Sequence, residues 1–181
     1  GNEDSDVTKI NENGSGEVSE ETAFIMNRAM QVSKETKGAF DITIYPVMEL
    51  WGFTTKNYRV PESSEIADVL KHVSYTNVEV NGQQVTLSDG ASIDLGGIAK
   101  GYTSSRVIQI MKDCSIEHAI INLGGNVQVL GTKTDGSDWR VAIQNPDSES
   151  SYLGVLSTAD KAVITSGGYE RYFEQDGQVY H

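Results

Sequence analysis

The stretch Asp94-Leu95-Gly96-Gly97-Ile98-Ala99-Lys100-Gly101-Tyr102 constrains this chain most, because a strand-like run ends there in two glycines and a helical pattern begins at once. Glycines let a backbone approach a diphosphate closely, and the unpaired N–H groups at the start of a helix attract anions. Asp94 stands at the mouth of the turn, where a carboxylate can cap the helix, hold a metal ion, or do both. The pattern is not a P-loop, since Lys100 precedes Gly101 and no Gly-Lys-Ser/Thr follows, and it is not the G-x-G-x-x-G dinucleotide fingerprint. Taken alone, it also fits a plain strand-to-helix corner.

Charge narrows the partners. Fourteen basic against 26 acidic residues give a net charge of −12, with no Lys/Arg-rich run. That balance argues against nucleic acid or an anionic membrane surface as the main partner. A phosphate-bearing ligand then needs local help from helix dipoles, the few lysines or a bound divalent cation. The 181 residues, 38% apolar, suffice for one domain with a substantial core. No apolar run approaches the about 20 residues of a membrane span, and Gly1-Asn2-Glu3-Asp4 has neither signal-peptide character nor a lipid-accepting cysteine. A single cysteine, Cys114, excludes an internal disulfide and thiolate metal clusters. Its place in an apolar helical stripe reads as an inert core position.

Along the chain, residues 1–18 read as a loose polar lead-in. Ser19 is the expected N-cap of a helix with Ile25, Met26, Ala29 and Val32 as its apolar stripe and Gly38 as its stop. The aromatic stretch from Gly38 to Phe53 follows. In it Asp41, flanked by Phe40 and Ile42, must either satisfy backbone N–H groups or meet a polar ligand atom. Pro61 precedes a second helix with Ile66, Val69, Leu70 and Val73 on one face, and His72 at its end is a dipole partner or a solvated residue. Val78 and Val80, then Val85 and Leu87, alternate around Asn81-Gly82, a hairpin signal. A third strand through Ile93 and Leu95 leads to the central turn. The helix after it carries Val107, Ile110, Met111 and Cys114 at helical spacing.

The second half reads as strands. Ala119 to Leu123 is a buried strand, and Gly124-Gly125-Asn126 leads to another from Val127 to Leu130. Trp139, Val141 and Ile143 alternate up to Asn145-Pro146, and Tyr152 to Leu156 adds a further strand. Ala162 to Thr165, Tyr169 to Phe173 and an Asp176-Gly177 hairpin complete it. The chain ends within a strand, which leads to the expectation of further sequence beyond His181. Helices early and hairpin-linked strands later predict an α+β fold with mainly antiparallel sheets, in a single domain over 1–181.

Four separated motifs resemble one family. Gly38-Ala39-Phe40-Asp41 running on to Leu50-Trp51-Gly52-Phe53, then Asp94 to Tyr102, then Ile121 to Asn126, then Thr165-Ser166-Gly167-Gly168-Tyr169-Glu170-Arg171 are similar to the ApbE family of FAD:protein FMN transferases. The resemblance implies a T-fold-like domain with packed helices, and magnesium-dependent transfer of FMN from FAD to a threonine hydroxyl of an acceptor protein, with AMP released. It implies that Ala39, Phe40, Asp41, Gly96 and Tyr102 line the FAD site and that the Ala99 carbonyl is a magnesium ligand. Asn122 and Ser166 are either supporting hydrogen bonders or ordinary turn residues.

Matched to the family, the chain is expected to be truncated at both ends. The family's Met-Gly-Thr flavin contact would precede it, and its His-x-Ile-Asp-Pro motif and Asp/Thr metal segment would follow. His181 aligns with the histidine of the first of those later motifs, a candidate general base for the target hydroxyl, or else is a strand-end residue with no role. On its own this stretch is expected to bind and turn over flavin poorly. Family members are typically exported and lipid-anchored, with membrane redox-pump subunits as common acceptors, so an extracytoplasmic place is expected. Two further readings stand beside the transferase: an FAD pyrophosphatase, and a non-catalytic flavin-binding protein.

Overall fold

Residues 4–18 open on a helix rather than a loose lead-in. In the computed structural model, which describes residues 4–166 and 172–181, helix α1 spans Asp6–Asn13. Ser5 caps it by accepting the Thr8 N–H at 3.2 Å, and Gly14, at φ +72°, closes it with its own N–H on the Ile10 carbonyl. A largely polar octet holds as a helix because Ile10 is wholly buried. Strand β1 (Ser15–Glu17) then joins a sheet.

The chain divides into two compact units, Gly1–Ala99 and Lys100–His181. In the first, Ser19 caps α2 (Glu20–Glu35) as expected, accepting the Thr22 N–H. The buried face of α2 runs through Ala23, Met26, Ala29 and Ser33, a small rotation from the expected one, which leaves Ile25 and Val32 half-buried. Short helices α3 (Tyr45–Leu50) and α4 (Ser63–Val69) follow. The stripe of α4 loses Leu70, because the helix tightens there into a 3-10 turn and leaves that side chain 48% exposed. His72 ends this turn, exposed, with Nδ1 against the Asp89 carbonyl.

Strands β2 (Val78–Asn81) and β3 (Gln84–Leu87) form the expected hairpin, with Asn81 opposite Gln84. Gly82, at φ +61°, therefore takes the first central turn position and Asn81 closes the strand. The sheet order is β1-β3-β2, all antiparallel. Ile10, Val18, Met26, Ala29, Ile42, Val78, Val85 and Ile93 make one core, and each fully buried Ile or Met contributes about 1.5–3 kcal/mol.

Helix α5 (Gly96–Asp113) begins in the first unit and runs on into the second. Strands β4 (Ala119–Leu123), β5 (Asn126–Leu130), β6 (Trp139–Asn145), β7 (Ser148–Thr158), β8 (Ala162–Ile164), β9 (Phe173–Gln175) and β10 (Gln178–Tyr180) follow. They pair antiparallel as β4-β5-β8, β6-β7 and β9-β10. Ile108, Ile121 and Leu130 form the core here, with Val107, Met111 and Leu123 against it.

Cys114 is exposed, contrary to the core position read from its stripe. The helix stops at Asp113 and Ser115 turns left-handed at φ +60°, so Cys114 never completes the next turn of the buried face. Ile110 lies off that face and is 56% exposed. Strand β4 is half-buried rather than buried: Ile121 faces inward while Ile120 is 48% exposed. The expected α+β, mainly antiparallel fold is the observed one. Of the strand expected from Tyr169 to Phe173, residues 169–171 lie outside the described residues.

Candidate functional site

In the first unit the structure brings two of the sequence motifs together. Gly38 turns the chain at φ +84° after α2, and the Phe40 N–H donates to Thr36 Oγ1 at 3.1 Å. The Phe40 ring then lies against the glycine turn, so that a Cβ on Gly97 would stand 3.1 Å from Phe40 Cε2. The Asp94 N–H donates to the Ile42 carbonyl at 2.8 Å, which fixes the turn to the residue after Asp41.

Asp41 answers one of its two open readings. Its Oδ1 accepts the Thr43 N–H at 2.9 Å and the Thr43 hydroxyl at 2.6 Å, and its Oδ2 accepts the Tyr75 N–H at 2.7 Å. A carboxylate has about four acceptor positions, so three are used in holding the loop. Tyr75, which the sequence did not single out, is thus the second anchor of this motif. A backbone N–H partner across 34 residues leaves no trace in a linear pattern.

At the turn itself Asp94 Oδ1 accepts the Gly96 N–H at 2.8 Å, and the Leu95 carbonyl accepts the N–H groups of Ile98 and Ala99. Asp94 therefore caps α5, one of the two roles open to it. A Cβ on Gly96 would stand 2.8 Å from that same Asp94 oxygen. Gly96 and Gly97 are exposed, so the backbone edge of the turn faces outward and is accessible to a ligand.

The segment leading to the turn, residues 91–95, has no regular secondary structure and is not the expected strand. Asn11 takes the place of a strand neighbour, giving its Nδ2–H to the Ile93 carbonyl at 2.9 Å and accepting the Ile93 N–H on Oδ1 at 2.8 Å. Nothing in the sequence signals this contact, because it depends on α1.

In the second unit, Lys100 donates Nζ–H to the Gly124 carbonyl at 3.1 Å, tying α5 to the glycine pair of the third motif. Gly124 and Gly125 have φ of +57° and +82°, and Asn122 Oδ1 accepts the Gly125 N–H at 3.0 Å, which is the turn role of its two readings. Asn126, 4% exposed, has an Oδ1 with no hydrogen-bond partner among the described residues. Tyr102 is half-buried within α5, Ser166 is exposed beyond β8, and His181 is exposed one residue past β10. Residues 167–171 of the fourth motif lie outside the described residues.

The Leu50 to Phe53 motif closes on itself. Gly52, at φ +79°, packs on the Asn57 backbone with no room for a side chain, and the Phe53 and Tyr58 rings meet edge to face at 5.4 Å. Arg59 bonds the Leu50 carbonyl and grips Glu65 with both guanidinium arms, a contact that holds the Glu65 carboxyl below its usual range.

Magnesium takes several oxygen ligands in near-octahedral order. Among the described residues no three His, Cys, Asp or Glu side chains come together, and Ala99 lies in α5, where carbonyls accept helical N–H groups. The described residues alone do not fit a complete magnesium site.

The sequence pattern of the ApbE family matches residues 1–181. An FAD:protein FMN transferase of Vibrio cholerae is 31% identical over 98% of the chain and 55% of its own length. One of Klebsiella pneumoniae is 36% identical over 84% of the chain and 48% of its own length. The chain spans about half the length of these curated relatives. Among solved structures, the ApbE protein of Thermotoga maritima superimposes with a TM-score of 0.94 at 39% identity, over all of this chain and 60% of that one. The apo flavinyl transferase ApbE of Pseudomonas stutzeri gives 0.85 at 28% identity, over 99% and 57%.

Proposed function

This chain belongs to the ApbE family, and from that premise we propose that it acts in transferring FMN from FAD to a threonine hydroxyl of an acceptor protein. The observation that carries the reading is the meeting of Phe40 with Gly97 beside the Asp94-capped start of α5, which leaves an outward-facing glycine edge flanked by an aromatic ring. Such an edge presents a backbone bare of side chains and the positive end of a helix to a diphosphate, and the ring offers an apolar surface to a flat ligand.

In the reaction the threonine oxygen forms a bond to the FMN phosphorus and the phosphoanhydride bond to AMP breaks, so AMP leaves with the bridging oxygen. The hydroxyl proton passes to a base, for which His181 is the candidate. Phosphoryl transfer depends chiefly on positioning and charge stabilisation, and a glycine edge at a helix start suits that task. Ala39, Phe40, Asp41, Gly96 and Tyr102 are the proposed FAD contacts, with residues 1–181 forming the central part of one catalytic domain. Magnesium dependence belongs to the same reading, with the Ala99 carbonyl as one ligand and the others outside the described residues. So do an extracytoplasmic location, a lipid anchor and acceptors among membrane redox-pump subunits.

The test is mass spectrometry of an acceptor incubated with the intact protein, FAD and magnesium. Gain of the mass of FMN less one water on a threonine, abolished by a chelator, is the expected result. Free FMN and AMP with no labelled acceptor would make it a pyrophosphatase, and FAD returned unchanged would make it a flavin-binding protein.

A further inference from the structure

The backbone that delivers the chain to Asp94 is held by one side chain. The Asn11 carboxamide meets both the N–H and the C=O of Ile93, reproducing the double contact that a strand partner gives in an antiparallel pair. Ile93 is wholly buried, so its backbone groups have no ready exchange with water. Only an amide can do this: it carries a donor and an acceptor side by side, whereas a carboxylate lacks the donor and a leucine lacks both.

Immediately after this clamp, the Asp94 N–H is fixed on Ile42 and the Asp94 carboxylate on the Gly96 N–H. The aim of the glycine edge therefore follows from where Ile93 is held. Helix α1 does not need Asn11 for its own sake, since Ser5 and Gly14 cap its ends and Ile10 anchors it in the core.

We propose that Asn11 is a positioning residue for the substrate: by gripping the Ile93 backbone it sets the Asp94 carboxylate and the Gly96–Gly97 edge where the diphosphate is received. This rests on the flavin reading above.

The intact protein and three variants test it, with FAD affinity followed by tryptophan quenching well below each melting temperature. Asn11→Ala removes both contacts, Asn11→Asp keeps only the acceptor, and Ile10→Val weakens the same helix without touching the clamp. Asn11→Ala is expected to weaken FAD at least tenfold and Asn11→Asp to fall between it and wild type, while Ile10→Val stays within about twofold of wild type despite a lower melting temperature. Wild-type affinity in Asn11→Ala, or equal losses in Asn11→Ala and Ile10→Val, would overturn the inference and leave the flavin reading standing. A wild-type protein that binds no FAD overturns both.

Discussion

Lys100 Nζ donates to the Gly124 carbonyl at 3.1 Å, so the lysine of the second sequence motif holds the glycine pair of the third. A Cβ on Gly124 would stand 3.3 Å from that ammonium, and φ there is +57°. Both ends of the contact are exposed, which limits its worth to about 1 kcal/mol. Lys100→Met is accordingly expected to lower the unfolding free energy only slightly, by less than about 1 kcal/mol in a urea titration. The same variant is expected to slow FMN transfer about tenfold, since loss of an ammonium beside the helix start removes charge as well as the tie. Unchanged transfer would assign Lys100 a purely structural role.

Alanine at three glycines of α5 separates close approach from helix propensity. An interior helical glycine ordinarily costs about 0.5–1 kcal/mol relative to alanine. Among the described residues outside its own helical turn, nothing lies within 4 Å of a Cβ on Gly101, so Gly101→Ala is expected to raise stability by that amount. Gly96→Ala would press on the Asp94 carboxylate at 2.8 Å and Gly97→Ala on the Phe40 ring at 3.1 Å. Both are expected to lose the gain, and Gly96→Ala to weaken FAD at least tenfold. Thermal melting with and without FAD reads all three.

How much of this was legible depended on range. The Ser19 cap, the β2–β3 hairpin and the glycine turn at the start of α5 are local devices, and each showed in a few adjacent residues. Helix α1 carries little local signal, because its eight residues are mostly polar and its support comes from the burial of Ile10. The need of Asp41 for partners shows in its apolar flanks, Phe40 and Ile42, but only the fold supplies Tyr75 as one of them. Cys114 departs from its apolar stripe because the helix ends at Asp113, one step before the periodicity would bury it.

Ser33 is fully buried in α2 and its hydroxyl oxygen has no hydrogen-bond partner among the described residues. An unsatisfied buried hydroxyl costs about 1–3 kcal/mol, and alanine also has the higher helix propensity. The methyl group of alanine leaves only a small void. Ser33→Ala is therefore expected to stabilise the protein by about 1 kcal/mol in urea unfolding, without changing FAD affinity. A destabilised Ser33→Ala would mean that the hydroxyl has a partner in solution.

Asp6 links the first two helices. Its Oδ2 accepts the Ser19 N–H at 2.9 Å and the Ser19 hydroxyl at 2.7 Å, joining the first turn of α1 to the cap of α2. The Ser19 backbone N–H, followed by the Thr22 and Ser19 hydroxyls, holds the Asp6 carboxyl below its ordinary range. A carboxyl whose pKa is depressed on folding stabilises the native state above its unfolded pKa, and that contribution fades as the pH falls through the folded one. Wild type is thus expected to lose stability faster than Asp6→Asn as the pH drops below about 4, the unfolded value for an aspartate. Other carboxyls titrate in the same window, notably Asp68 and Asp135, whose pKa values are also lowered. The measurement is therefore the difference between the two stability curves, from neutral pH down to about pH 2. A difference that shrinks steadily below about pH 4 assigns the effect to Asp6, whereas a constant difference would remove it from the acid response.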